Sequence, residues 1–89
     1  MKSVTTVGFR KAFARLPSDV RARAKAAYRI WLADSRHTGL HYRRVHPSEP
    51  IYSVRIGLHY RAVALVEGDT ATWYWIGSHS DYDKLLGSA

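Results

Sequence analysis

The sequence has no cysteine among its 89 residues. That removes a disulfide framework, a thiolate metal site and a cysteine nucleophile together, and it agrees with a reducing cytoplasm. Only three prolines and six glycines punctuate the chain. No linker, repeat or low-complexity segment interrupts it, so one domain is expected over residues 1–89. Long apolar runs are missing too. The longest wholly aliphatic stretch, Ala62 to Val66, falls far short of the roughly 20 residues that a membrane helix needs. Lys2 near the start is not followed by an apolar segment, so no secretory signal is read and a soluble, cytoplasmic protein without membrane contact is expected.

Acidic residues are scarce and unevenly placed. Fourteen Lys and Arg stand against seven Asp and Glu, a net charge of +7. Residues 1–46 carry eleven basic and two acidic side chains (+9), and residues 47–89 carry three and five (−2). Such a balance favours a polyanion or an acidic protein partner, although basic helices also serve solubility alone. What is abundant is apolar surface. A hydrophobic fraction of 46% with three tryptophans suffices for a real core in a chain that buries only about 60–65% of its unfolded surface.

The β-branched run Ser3–Val7 predicts a first strand, ended by Gly8. Phe9, Phe13 and Leu16 recur at helical spacing, and Pro17 suits the start of a second helix running to about Ser35. Val20, Ala24, Ala27 and Trp31 would form that helix's buried stripe, with Arg21, Lys25 and Arg29 as a basic ridge. The two helices make a hairpin. Strands are then expected at Leu40–Val45, Ile51–Ile56, Tyr60–Val66 and Ala71–Ile76, and a short helix at Asp81–Leu86. In the third of these five strands Tyr52, Val54 and Ile56 alternate with Ser53 and Arg55. The order β-α-α-β-β-β-β-α implies an α+β fold: an antiparallel sheet with the N-terminal helical hairpin packed on one face and a short C-terminal helix. The second face, only partly covered, is where a concave site can form.

Arg55, Arg61 and His79 fall on or just after consecutive strands and can meet near one end of that face. Two guanidiniums would hold a phosphate bidentately, and an imidazole could move a proton near neutral pH. The same residues also have structural readings. Ser78, His79 and Ser80 could cap the last helix. Tyr82 could stack on a base, or pack beneath the sheet with Leu85 and Leu86. Asp81 and Asp83 suit the positive end of that helix. His37 and His41 are four apart, but Gly39 between them argues against a helical ligand pair, so no metal is expected.

Four segments taken together resemble the RelE/ParE superfamily of small toxins from type II toxin–antitoxin systems. They are F-x-x-x-F-x-x-L-P at Phe9–Pro17, the strand around Leu40–Val45, Y-S-V-R-I-G-L-H-Y-R-A-V, and the closing W-I-G-S-H-S-D-Y-D-K-L-L. The resemblance implies a ribosome-dependent messenger-RNA endoribonuclease that needs no metal or other cofactor. In that reaction the RNA 2′-hydroxyl attacks the adjacent phosphate. It also implies an antitoxin partner that neutralises the toxin. Carried onto this chain, Arg61 matches the phosphate-stabilising arginine and Arg55 a basic residue on the preceding strand. His79 matches a terminal histidine used as acid or base, and Tyr82 the aromatic residue near it. Arg43, Arg44, Lys25 and Arg29 are expected to meet RNA and the ribosome, and Arg21, Lys25 and Arg29 the antitoxin. The ParE branch shares the fold and poisons DNA gyrase without cutting RNA, so gyrase is the alternative partner. An inactive relative that only binds an antitoxin is the third reading.

Overall fold

In the computed structural model, which describes residues 1–87, the β-branched start of the chain forms strand β1 (Lys2–Thr5). Thr6 ends it: its hydroxyl accepts the Phe9 N–H at 3.1 Å and caps helix α1 (Val7–Ala14). The strand therefore stops two residues before the expected Val7, and Gly8 lies inside the helix instead of breaking the strand. The cap offsets the helix penalty of a glycine, each worth about 1 kcal/mol. A Thr6→Ala variant should lose about 1 kcal/mol of stability, read as a lower urea midpoint at unchanged slope. An unmoved midpoint would remove the hydroxyl from the account.

Helix α2 (Ser18–Ala33) starts directly after Pro17, as the sequence predicts. Val20, Ala24 and Trp31 are buried along one stripe. The Arg21 guanidinium donates to the Leu16 carbonyl at 2.5 Å and the Ala14 carbonyl at 3.4 Å, which ties the end of α1 to α2. After α2 the chain departs from expectation. Leu40–Val45 is not one strand. Thr38–Leu40 form a single 3-10 turn, with the His37 ring accepting the Gly39 N–H at 3.2 Å. His41 then turns left-handed (φ 46°, ψ 41°), and only Arg43–Arg44 pair as strand β2. A left-handed residue cannot continue an extended ladder, so the strand is cut to its second half.

Strands β3 (Ile51–Ile56), β4 (Tyr60–Glu67) and β5 (Thr70–Ser78) follow, then helix α3 (His79–Gly87). Helix α3 begins two residues earlier than expected, because the Ser78 hydroxyl accepts the Asp81 N–H at 3.2 Å and leaves His79 as its first residue. The sheet order is β1-β5-β4-β3-β2. The four strands joined by short connections pair antiparallel. The helical hairpin carries the chain from one edge of the sheet to the other, so β1 lies parallel against β5 and the sheet is mixed at that edge.

Helices α1 and α2 cover one face. Val54, Ile56, Ala62, Ala64, Trp73 and Ile76 bury there against Ala24, Trp31 and Leu40. The Trp31 and Trp73 rings meet edge to face at 5.2 Å, the arrangement that aromatic quadrupoles favour. The two helices splay, leaving a groove of about 770 Å³ floored by Trp31 and Trp73 and walled by Phe9, Phe13, Lys25 and Tyr28.

A bulge in β5 decides the other face. Ala64 pairs with Trp73 and Val63 with Trp75, so Tyr74 is an extra residue between them. Without it, Trp73, Trp75 and Gly77 would share one face by simple alternation. With it, Trp73 and Ile76 point to the helices while Trp75 and Gly77 point away.

Candidate functional site

On the second face the registers lay the side chains out in rows. Arg43 pairs with Ser53, Ser53 with Val63, and Val63 with Trp75. The next row towards the β3–β4 turn is Arg55, Arg61 and Gly77. Helix α3 lies over the first row. Tyr82, buried to 6% exposure, donates its hydroxyl to Ser53 Oγ at 3.2 Å, and its ring is 6.3 Å from that of Trp75. Val63 beneath is wholly buried. The second row emerges at the edge of this cover, where a ligand can reach it.

That row is cationic. Arg55 and Arg61 face each other across adjacent strands. The Arg61 guanidinium donates to the Tyr60 carbonyl at 2.8 Å. Its pKa is lowered, first by burial and then by the charge of Arg55, with Arg43 adding in the same sense while Tyr82 and Asp83 oppose. Arginine stays charged at any physiological pH, so the shift measures crowding rather than titration. Two guanidiniums held together with too little counter-charge gain from any anion that settles between them. Arg55 is also fixed: its Nε donates to the Gly57 carbonyl at 3.1 Å. Gly57 has φ +61°, and a Cβ there would stand 3.2 Å from an Arg23 nitrogen, so the carbonyl is aimed by a turn that only glycine takes without strain.

His79 lies at the same end of the sheet. Its backbone N–H donates to the His59 carbonyl in the β3–β4 connection at 2.6 Å. Its Nδ1 is 3.2 Å from an Asp83 carboxylate oxygen one helical turn on. A carboxylate accepts, so Nδ1 carries a hydrogen and Nε2 faces outward, the arrangement that presents an imidazole for proton transfer. Both His79 and Asp83 are well exposed.

The structure thus brings Arg55, Arg61 and His79 to one end of one face, and Arg43 joins them from β2. Tyr82 adjoins the cluster from below as a buried, hydrogen-bonded packing residue. Arg44 points elsewhere. Its side chain donates to the Glu49 and Ser48 carbonyls and braces the loop before β3. Lys25 and Arg29 belong to α2, on the far side of the sheet from the arginine pair, with Lys25 at the groove. Arg21 spends donors on the end of α1. Sequence reasoning missed His41, whose Nε2 is 3.4 Å from an Arg55 guanidinium nitrogen. It also gave Asp83 a helix-end role alone. No local pattern pointed to His41, because its left-handed backbone takes it out of the strand whose alternation would have set its face. Among the described residues no group of three His, Asp or Glu side chains is placed to hold a metal ion.

Solved structures share this fold. A RelB–RelE antitoxin–toxin complex from Methanococcus jannaschii matches with a TM-score of 0.73 at 23% identity, covering 91% of this chain and 96% of that one. A YoeB/ParE toxin from Agrobacterium tumefaciens matches with a TM-score of 0.71 at 16% identity, over 89% and 99%. The intact RelBE toxin–antitoxin complex of E. coli gives 0.66 at 18%, over 85% and 93%. No curated protein matches the sequence. Residues 18–84, from the start of α2 into α3 and so including both arginines and His79, match the ParE-like toxin domain, and the chain belongs to that family.

Proposed function

We propose that this protein is the toxin of a type II toxin–antitoxin pair and that it acts as a ribosome-dependent messenger-RNA endoribonuclease without a metal cofactor. The observation that carries the reading is the Arg55–Arg61 pair, at one end of the open face beside an imidazole whose Nδ1 is held by Asp83. Cleavage by an RNA 2′-hydroxyl passes through a pentacoordinate phosphorane with more charge on its oxygens than the phosphodiester has. Two fixed guanidiniums favour that state over the bound substrate, which is the condition for catalysis. His79 supplies acid–base help, worth roughly 10²–10⁴-fold. Gyrase poisoning asks for a docking surface and not for this constellation, so the nuclease reading is preferred.

The cationic N-terminal half suits contact with ribosomal RNA, which makes binding strongly dependent on salt. It is split between the two faces, however. Arg43 belongs to the phosphate side and Lys25 and Arg29 to the helical side. The splayed groove between α1 and α2 fits the antitoxin: an apolar floor with Arg10 and Lys25 at its wall suits an amphipathic segment with acidic flanks.

Induced expression followed by mapping of messenger-RNA ends is the direct test. Fresh 5′-hydroxyl ends inside translated reading frames, absent when ribosomes are withheld, are the expected result. Intact messenger RNA with broken chromosomal DNA would overturn the nuclease reading in favour of gyrase. No growth defect at all would point to an inactive antitoxin-binding relative.

A further inference from the structure

We infer that His41 is a second proton-transfer residue of this site: the base that removes the 2′-hydroxyl proton, opposite His79. The inference rests on the nuclease reading above. Three observations on His41 carry it. Its backbone is the sole left-handed non-glycine among the described residues, a conformation that is kept where the surroundings over-determine it and that collects at functional sites. It is held there by the preceding 3-10 turn, whose Leu40 is 2% exposed in the core and whose Thr38 carbonyl accepts the His41 N–H at 3.3 Å. And the ring it projects meets Arg55, with Nε2 3.4 Å from a guanidinium nitrogen.

That contact fixes the chemistry of the ring. A guanidinium only donates, so the Nε2 it meets carries a lone pair and the hydrogen is on Nδ1. The nitrogen facing the arginines is therefore able to take a proton. The charged groups around it are cations from three strands: Arg43 two residues on, Arg55 in contact, and Arg61 beyond Arg55. An anionic phosphate drawn to these arginines lies against His41 on one side.

The sheet order puts His79 on the other side. His41 precedes β2, the arginines stand on β3 and β4, and His79 follows β5, in the spatial order β2-β3-β4-β5. In-line displacement needs this layout, because the attacking and leaving oxygens depart from opposite sides of phosphorus. The O2′–H proton goes to His41 Nε2 as the O2′–P bond forms. The P–O5′ bond breaks with its electrons on O5′, which takes the Nε2 proton of His79 in its imidazolium form and leaves a neutral ring with its hydrogen on Nδ1 towards Asp83. One proton is gained and one is given, so the products are the 2′,3′-cyclic phosphate and the 5′-hydroxyl, and exchange with water resets both rings.

The test uses single-turnover cleavage on messenger-programmed ribosomes. His41→Asn tolerates the left-handed backbone and still offers Arg55 an acceptor, but it takes no proton. It should fold with an unchanged melting temperature and cleave about 10²–10⁴-fold more slowly. A substrate with a sulfur leaving group in place of O5′ separates the two histidines, because a thiolate departs without a proton. It should restore most of the rate to His79→Ala and little to His41→Asn. Cleavage by His41→Asn at the parent rate overturns the assignment of the base and leaves the nuclease reading standing. So does its rescue by the sulfur substrate. Absence of ribosome-dependent cleavage by the parent protein, with DNA breaks in its place, removes the nuclease reading and this assignment together.

Discussion

Arg61→Ala should slow messenger-RNA cleavage by about 10²–10³-fold, the usual loss when one preorganised charge-stabilising donor is removed. It should also abolish growth arrest at expression levels where the parent is lethal. The effect should fall on the rate of a single turnover rather than on ribosome binding, since in the proposed reaction Arg61 is one charge among many for binding but one of two on the reacting phosphate. Arg61→Lys should recover only part of the loss, because an ammonium offers a point charge and not a planar fork. Stability should move the other way or not at all. Burial and Arg55 both lower the Arg61 pKa, which means that the fold holds this cation at a disadvantage. A group that weakens the fold while serving the reaction is what a functional site contains. Thermal melting of the alanine variant decides between the two accounts. A large fall in melting temperature would make Arg61 a structural residue, and full toxicity of a well-folded Arg61→Ala would end its catalytic role.

Most of the architecture could be read from residue periodicity. The stripe Val20, Ala24, Trp31 and the alternation Val54, Arg55, Ile56 are consequences of the helical and strand repeats, and the structure buries the apolar positions among them while Arg55 faces the other side. What escaped was decided by individual side chains acting against the pattern. Thr6 captures a backbone N–H and starts a helix through Gly8. The His37 ring captures another and folds Thr38–Leu40 into a turn inside an expected strand. The Tyr74 bulge is invisible to alternation, because T-A-T-W-Y-W-I reads equally well with or without an inserted residue, yet it places Trp75 on the opposite face from Trp73. The parallel seat of β1 depends on where a helical hairpin delivers the chain, which no local pattern records.

The site follows the same division. Arg55 and Arg61 could be matched from strand order alone, since a tight β3–β4 connection forces them opposite one another. His79 could be placed because it directly follows the neighbouring strand. His41 could not, since its position depends on one left-handed residue. Tyr82 left two readings open, a stacking ring or a core ring. Its burial and its bond to Ser53 are set by the start of α3 at His79, fixed in turn by the Ser78 cap. The hydroxyl pairing and the cover over Val63 make Tyr82 the pin that holds α3 to the sheet beside the arginines.

Tyr28→Asp should free the toxin from its antitoxin without disarming it. Tyr28 is 41% exposed on α2, stacks on Trp31 with ring centroids 6.2 Å apart, and walls the groove on the helical side of the sheet. A partly exposed aromatic at the mouth of an apolar groove is the kind of residue that carries interface energy, and its truncation costs binding about 30–1,000-fold. The charge added by Asp raises that loss, because Arg10 and Lys25 on the groove wall select for acidic flanks and a carboxylate between them repels such a segment. The arginine row lies on the opposite face, so cleavage by the purified variant should equal that of the parent. Co-expression with the antitoxin should then arrest growth where the parent pair does not. Isothermal titration gives the affinity directly, with Arg36→Ala, outside the groove, as the unaffected control. Parental affinity in Tyr28→Asp would show that the antitoxin neutralises from another surface, and loss of cleavage would show that the two faces are coupled through Trp31 and Trp73.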